Sequence, residues 1–259
     1  MGVKDQPDGE ITVHTLAYSK ADLDKAPPKE RFFYLMAGSV ANDSAILTKA
    51  LLASLKSEDF GNTITNQGNS TVLFFILRML SGRLVEASKL TTKNSKMIKA
   101  EYEADLSPEA KSSFYAILKY FAGKRSLLLE VRDKMAFHHV NQSVEQAYQS
   151  LDRSNDLGDY MHEKSGNNLY YTAEILHYET LKNASGLGHE EAIDRWVGDA
   201  IEQSNNFGNL INGFALVFAK RYLPHALDKL DNEVERVPVL DSDKAALPFF
   251  TLLPNREGA

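Results

Sequence analysis

Apolar and small residues recur at positions 33, 37, 40, 47 and 51 of RFFYLMAGSVANDSAILTKALLASL, residues 31 to 55. This spacing returns to one side of an α-helix and predicts a long helix packed along that stripe. GNTITNQGNS then breaks the pattern with glycine and asparagine. From about Ser70 to Lys89 a second stripe of Leu73, Leu77, Leu80, Leu84 and Ala87 predicts another helix, broad enough in its apolar surface to be central in a bundle. In DLSPEAKSSFYAILKYF, Ser107 as cap, Pro108 in the first turn and Glu109 beside it predict a third helix to about Phe121. Gly123 permits a break, and KRSLLLEVRDKMAF reads as a fourth helix.

A short helical piece follows Ser143, and RSNDLGDYMHEKSGNN has the composition of a loop. LYYTAEILHYETL is compatible with helix or strand. The stretch from His189 to Leu223 is helical by its apolar residues at 193, 196, 197, 200, 201, 207, 211, 214 and 218, with a kink point among the Asn and Gly residues of 205 to 213. At the N-terminal side EITVHTLAYS suits a short strand, and Pro27-Pro28 is a stop before the first helix. Beyond Pro224 a polar tail ends in LPFFTLLP, a segment expected to dock on the body or on a second subunit. The expectation is an all-α helical bundle over residues 29–224, with irregular extensions over 1–28 and 225–259.

A chain of 259 residues can bury a sizeable core. It contains no cysteine, which removes disulfides, thiolate metal sites and cysteine nucleophiles and suits a reducing compartment. MGVKDQPDGEITVH lacks a basic start followed by an apolar run, and the apolar stretch STVLFFILRML is interrupted by Arg78. A cytoplasmic protein with no membrane segment is therefore expected, in which triplets such as Asn69-Ser70-Thr71 carry no glycan. The net charge of −6 argues against a protein coated in positive potential but leaves room for a local basic patch.

Several common chemistries are missing. There is no Gly-x-x-x-x-Gly-Lys loop, and ASGLGHEE has only two glycines of a dinucleotide fingerprint, with no strand leading into it. His162-Glu163 and His189-Glu190 each lack the second histidine of a zinc-protease helix, and no Gly-x-Ser-x-Gly elbow occurs. Neither a metal nor another cofactor is expected.

LLLEVRDKMAFHHV, residues 127 to 140, is the stretch with most chemical content. On a regular helix each residue turns about 100°, so seven residues return to nearly the same face and six fall about 120° away. Arg132 then shares a face with His139 on an unbroken helix, and meets His138 where the helix ends or bends near Phe137 or where the long arginine side chain spans the gap, so spacing alone does not choose between the histidines. A neutral imidazole can take a proton from a ribose 2′-hydroxyl, while a guanidinium offers donors to the phosphate as charge develops on it. This is RNA cleavage without a metal. Asp133 is placed to orient the histidine or position the arginine.

RDKMAFHH resembles the Arg-x(4–6)-His signature of the HEPN superfamily (higher eukaryotes and prokaryotes nucleotide-binding), in which Asn, Asp or His usually follows the arginine. Arg132, Asp133 and His138 match with five residues between Arg and His, and His139 matches with six. The likeness extends in character over residues 31 to 140, where long helices precede the motif, and does not reach the tail. It implies a helical bundle that pairs so that two motifs face one cleft. It also implies a metal-independent ribonuclease of a toxin-antitoxin or phage-defence system, with RNA as substrate and an antitoxin protein as a further partner. The resemblance favours Arg132 and His138 as the acting pair. The alternative is a non-catalytic helical binding module, in which Arg132 pairs with a surface carboxylate and the histidines stabilise the carbonyl end of a helix.

Lys89, Lys93, Lys96 and Lys99 lie in KLTTKNSKMIK with no acid between Glu86 and Glu101. They are either a phosphate-binding patch for RNA or a solvated helix end. Asn42 and Asp43, poor helix formers inside a helix, are expected to bond across the bundle rather than line a cleft. Arg83 and Glu86 have the spacing of a local surface ion pair. Trp196, Phe207, Phe214 and Phe218 read as core or dimer packing.

Overall fold

The computed structural model describes residues 9–55, 61–123, 126–136, 141–152, 157–230, 234–239, 247–249 and 251. Within them β1 (Gly9–His14) is followed by the single-turn helix α1 (Lys20–Leu23), capped reciprocally by Ser19 and Asp22. Pro28 opens α2 (Pro28–Leu55), where its missing N–H costs nothing because first-turn donors have no partner within the helix. Phe33, Ala37, Val40 and Leu51 of the predicted stripe are buried.

The glycine- and asparagine-rich stretch after residue 60 opens a helix earlier than its composition suggests. Gly61 takes a left-handed φ of 64° and the Asn62 side chain accepts from the N–H groups of Ile64 and Thr65, at 2.9 and 3.2 Å. The result is α3 (Thr63–Met97), longer at both ends than Ser70 to Lys89. Its C-terminal extension tolerates Thr91 and Asn94 because their side chains bond back to the carbonyls of Ala87 and Leu90, so neither leaves a buried polar group unmet. A π-helical turn (Ile98–Tyr102) follows. The predicted cap then starts α4 (Pro108–Ala122), with Ser107 Oγ accepting from Ala110 N at 3.2 Å.

Next come α5 (Leu127–Val131), a second π-helical turn (Arg132–Ala136) and α6 (Asn141–Ser150). The loop predicted from 153 to 168 contains a 3-10 turn (Ser165–Asn167) and a bridge between Tyr160 and Leu169. The ambiguous aromatic segment is helical, α7 (Tyr171–Ser185), and ends on Gly186 with a left-handed φ of 69°. Then α8 (His189–Tyr222) runs as a single helix, followed by α9 (Pro224–Leu227) and β2 (Val234–Val239). β2 pairs antiparallel with β1, placing Ile11 opposite Val237, so parts of the two extensions are joined in one ribbon. The fold is all-α apart from this ribbon and the single bridge among the described residues.

Two compact units divide the chain, and each of the three long helices contributes to both. The first takes in the described residues of Met1–Ile46, Arg83–Lys124 and Glu202–Ala245; the second takes in those of Leu47–Gly82, Arg125–Ile201 and Ala246–Ala259. In the first unit, Phe214 contacts Phe33, Tyr102 and Phe218 at ring separations of 4.6, 4.1 and 6.2 Å, and all four rings are buried. Beside them Glu30, also buried, accepts from the hydroxyls of Tyr102 and Tyr222. Burial and this carboxylate push the Tyr102 phenol far above its usual range, which keeps it a donor. In the second unit Trp196 is fully buried against Phe74 and donates its indole N–H to Ser81 Oγ at 2.8 Å. Trp196 and the three phenylalanines of α8 are therefore all core residues, but they serve different units. The tail segment docks in the second unit, where Thr251 exchanges two hydrogen bonds with the Asn167 side chain and Phe249 N donates to Asn69 Oδ1.

Two helix-interior glycines are expected to respond oppositely to alanine. A Cβ on Gly213 would lie 2.4 Å from the Cβ of Ala110, so α4 and α8 meet where only hydrogen fits. Gly213→Ala is expected to be a net loss, because overpacking costs roughly 1–3 kcal/mol while helix propensity returns about 1. A Cβ on Gly38 meets nothing within 4 Å, so Gly38→Ala is expected to gain about 0.5–1 kcal/mol. Urea midpoints at unchanged slope read both signs.

Candidate functional site

Ser126 caps α5 by accepting from Leu129 N at 3.4 Å, and Leu127, Leu128 and Val131 are buried, which fixes the segment leading to Arg132. At Arg132 the hydrogen-bond register changes: its N–H is shared between the carbonyls of Leu128 and Leu129, and the chain continues as a π-helical turn. Such a turn closes over five residues instead of four, so each residue rotates less than in an α-helix. The step of about 100° that would align Arg132 with a residue seven positions on therefore does not hold across 132 to 136. His138 and His139 lie outside the described residues.

Met135 is buried, while Arg132, Asp133 and Lys134 are half-buried. Arg132 Nη1 donates to Asp133 Oδ1 at 2.7 Å, with 22% of the arginine side chain and 48% of the aspartate exposed. Lys134 pairs with Glu130 at 2.6 Å on the preceding turn. α7 packs against both α5 and the π-helical turn. Arg132 thus has a fixed base, a mostly buried side chain with Nε fully buried, and a carboxylate neighbour at Nη1.

Lys89, Lys93 and Lys96 recur at helical spacing along α3 and are exposed. Lys89 pairs with Glu86 at 2.8 Å, and Lys99, in the following π-helical turn, lies 5.3 Å from the ring centre of Tyr115. These lysines belong to the first unit, and Arg132 and Asp133 to the second. Arg83, expected beside Glu86, reaches Asp43 of α2, and Glu86 pairs with Lys89. Asp43 thus bonds across helices as expected, whereas Asn42 borders a cavity.

That cavity, about 470 Å³, lies in the first unit, with Gly38, Ser39 and Asn42 from α2, Phe214 from α8, and Tyr18 and Tyr34 in its lining. The Tyr18 and Tyr34 hydroxyls are 3.3 Å apart, and the Tyr34 ring stacks on Phe218 at 4.4 Å. Burial, helped by the Tyr18 contact, raises the Tyr34 phenol well above its ordinary range.

Two further clusters in the second unit escaped the sequence. Arg78, which interrupts an apolar run, makes a two-pronged pair with Glu174 of α7 at 2.9 and 3.2 Å, both side chains being almost buried. Glu179, also buried, accepts from Lys182 at 3.0 Å and bonds His189 Nε2 at 2.7 Å. The arginine inside the apolar run was the available signal for the first, since a buried guanidinium needs a partner. Nothing in the spacing marked the second.

Among the described residues no helix is long and apolar enough to cross a membrane, and no group of three or more His, Asp or Glu side chains is placed to hold a metal ion. Comparison with protein-family models, with curated proteins and with solved structures gives no match.

Proposed function

We propose that the chain is a HEPN-like, metal-independent endoribonuclease, of the kind found in toxin-antitoxin or phage-defence systems, acting as a homodimer. What supports this reading is the placement of Arg132 at an α-to-π change of register in an all-helical scaffold. Irregular turns of this kind are frequent at functional sites. In the proposed reaction His138 takes the proton of a ribose 2′-hydroxyl, the oxygen attacks the adjacent phosphorus, and the bond to the 5′-oxygen of the next nucleotide breaks, that oxygen taking a proton from water to leave as the 5′-hydroxyl. Arg132 stabilises the charge on the non-bridging phosphate oxygens, Asp133 holds the arginine, and Lys89, Lys93, Lys96 and Lys99 draw in the RNA backbone. His139 is the alternative proton acceptor.

The expected products from single-stranded RNA, with EDTA present, are a 2′,3′-cyclic phosphate and a free 5′-hydroxyl. End-group analysis of the purified protein's products checks this, with an Arg132→Ala/His138→Ala double mutant as control. If wild type and double mutant treat RNA alike, and both or neither arrest growth on expression, the ribonuclease reading fails.

The ion pair between Arg132 and Asp133 also suits a second reading, a non-catalytic helical module that keeps the scaffold and binds a protein such as an antitoxin. That module predicts no cleavage, and retention of partner binding in the double mutant.

A further inference from the structure

The ribbon of β1 and β2 belongs to the first unit, and every residue of β1 and all but Val239 of β2 are exposed. Two strands alone are marginal in water, and a further strand is one way such a ribbon is held. The register separates its two sides. Ile11 opposite Val237 and Gly9 opposite Val239 lie on one side with Val13, while Glu10, Thr12 and His14 fall with Arg236 on the other.

The outer edges of the two strands differ. The ladder runs through Pro238, which has no N–H to give, so its nitrogen faces outward and blunts the β2 edge. In an antiparallel ladder the residue opposite is turned outward as well, and the orientation alternates along the strand. The N–H and C=O groups of Glu10, Thr12 and His14 therefore point away from β2, along an edge that no third strand joins among the described residues.

That edge is complementary to itself. Residues 10–14 read Glu-Ile-Thr-Val-His, and two copies laid antiparallel about Thr12 set Glu10 opposite the partner's His14 and Ile11 opposite the partner's Val13. Acid then meets imidazole at both ends, β-branched side chains meet each other, and threonine meets threonine at the centre, all favourable cross-strand pairs. The residues that become hydrogen-bonded pairs in this register are the three whose backbone groups already point outward. Glu10 lies 3.8 Å from Arg236, and His14 Nδ1 lies 3.3 Å from the Leu230 carbonyl oxygen, which leaves His14 Nε2 to face a carboxylate.

We infer that the outer edge of β1 is a self-association surface, which pairs with the same edge of a second copy about Thr12 to make one continuous sheet. The inference stands on the ribbon alone and does not depend on the ribonuclease reading. Sedimentation equilibrium of the full-length protein is expected to show monomer and dimer exchanging in roughly the micromolar range, as suits a small interface. Thr12→Pro removes the central outward N–H and spares the bonds between β1 and β2, so it is expected to weaken association about tenfold. Glu10→Lys sets a lysine opposite the partner's His14 and is expected to weaken it about fivefold, whereas adding His14→Glu sets lysine opposite glutamate and should return it to within about twofold of wild type. These changes lie outside the helices, so helical circular dichroism is expected to match wild type. A protein that stays monomeric to about 1 mM overturns the surface, as does a dimer that Thr12→Pro leaves intact. A double variant that associates no more tightly than Glu10→Lys overturns the register.

Discussion

Replacing Arg78 with alanine is expected to destabilise the fold by about 3–5 kcal/mol, the usual consequence of stranding one member of a buried ion pair. Arg78 lies on α3 within an apolar run, and its guanidinium meets both oxygens of Glu174 on α7. Only 10% and 12% of the two side chains are exposed, so solvent screens the pair weakly. In Arg78→Ala the Glu174 carboxylate stays desolvated without its counter-charge. The penalty belongs to the uncompensated charge rather than to the bond itself. Arg78→Met combined with Glu174→Leu should therefore recover most of the loss, and Arg78→Ala with Glu174→Ala should cost less than the two single changes added together. Urea unfolding of the wild type and the four variants, Glu174→Ala among them, measures this. A loss below about 1 kcal/mol in Arg78→Ala would show that the pair behaves like an exposed one.

The same residue shows what periodicity in the sequence can and cannot carry. The stripes of α2, α3 and α8 were legible because burial of one helical face forces apolar residues to recur, and Phe33, Leu77, Leu80, Leu84, Phe207 and Phe218 are buried where the period puts them. Arg78 was visible as an exception to such a stripe, but Glu174 is 96 residues away and no local rule names it. Arg83 is the converse case. A local partner, Glu86, was available at the right spacing, and tertiary packing brings Asp43 of α2, which no local rule names.

Helix ends failed for a different reason. Asn62 and Thr91 have compositions that suit loops, yet one caps a helix and the other bonds back into it, and only the fold decides which. The change of register at Arg132 was not legible at all, because α- and π-helical turns differ in which carbonyl a given N–H finds and not in residue type. It bears directly on the candidate site: the choice between His138 and His139 had been posed on α-helical spacing, which does not extend through 132 to 136.

Arg132→Ala is expected to lower RNA cleavage by about 10²–10³-fold, the effect of removing one preorganised donor from a developing oxyanion. The ion pair with half-exposed Asp133 contributes only about 0–1 kcal/mol, but the arginine side chain is itself mostly buried, so thermal melting of the variant is measured beside its activity to separate lost packing from lost chemistry. Arg132→Lys separates charge from geometry. Lysine keeps the positive charge but not the planar fork, so a guanidinium that only attracts RNA would be largely replaced, whereas one that grips the phosphate through two donors would not. Cleavage rates under single-turnover conditions, with RNA affinity measured separately, distinguish the two. The ribonuclease reading expects Arg132→Lys to bind RNA nearly as well as wild type and to cleave it far more slowly. If Arg132→Ala cleaves at the wild-type rate, Arg132 is not the phosphate stabiliser, and its pairing with Asp133 belongs to a helix surface.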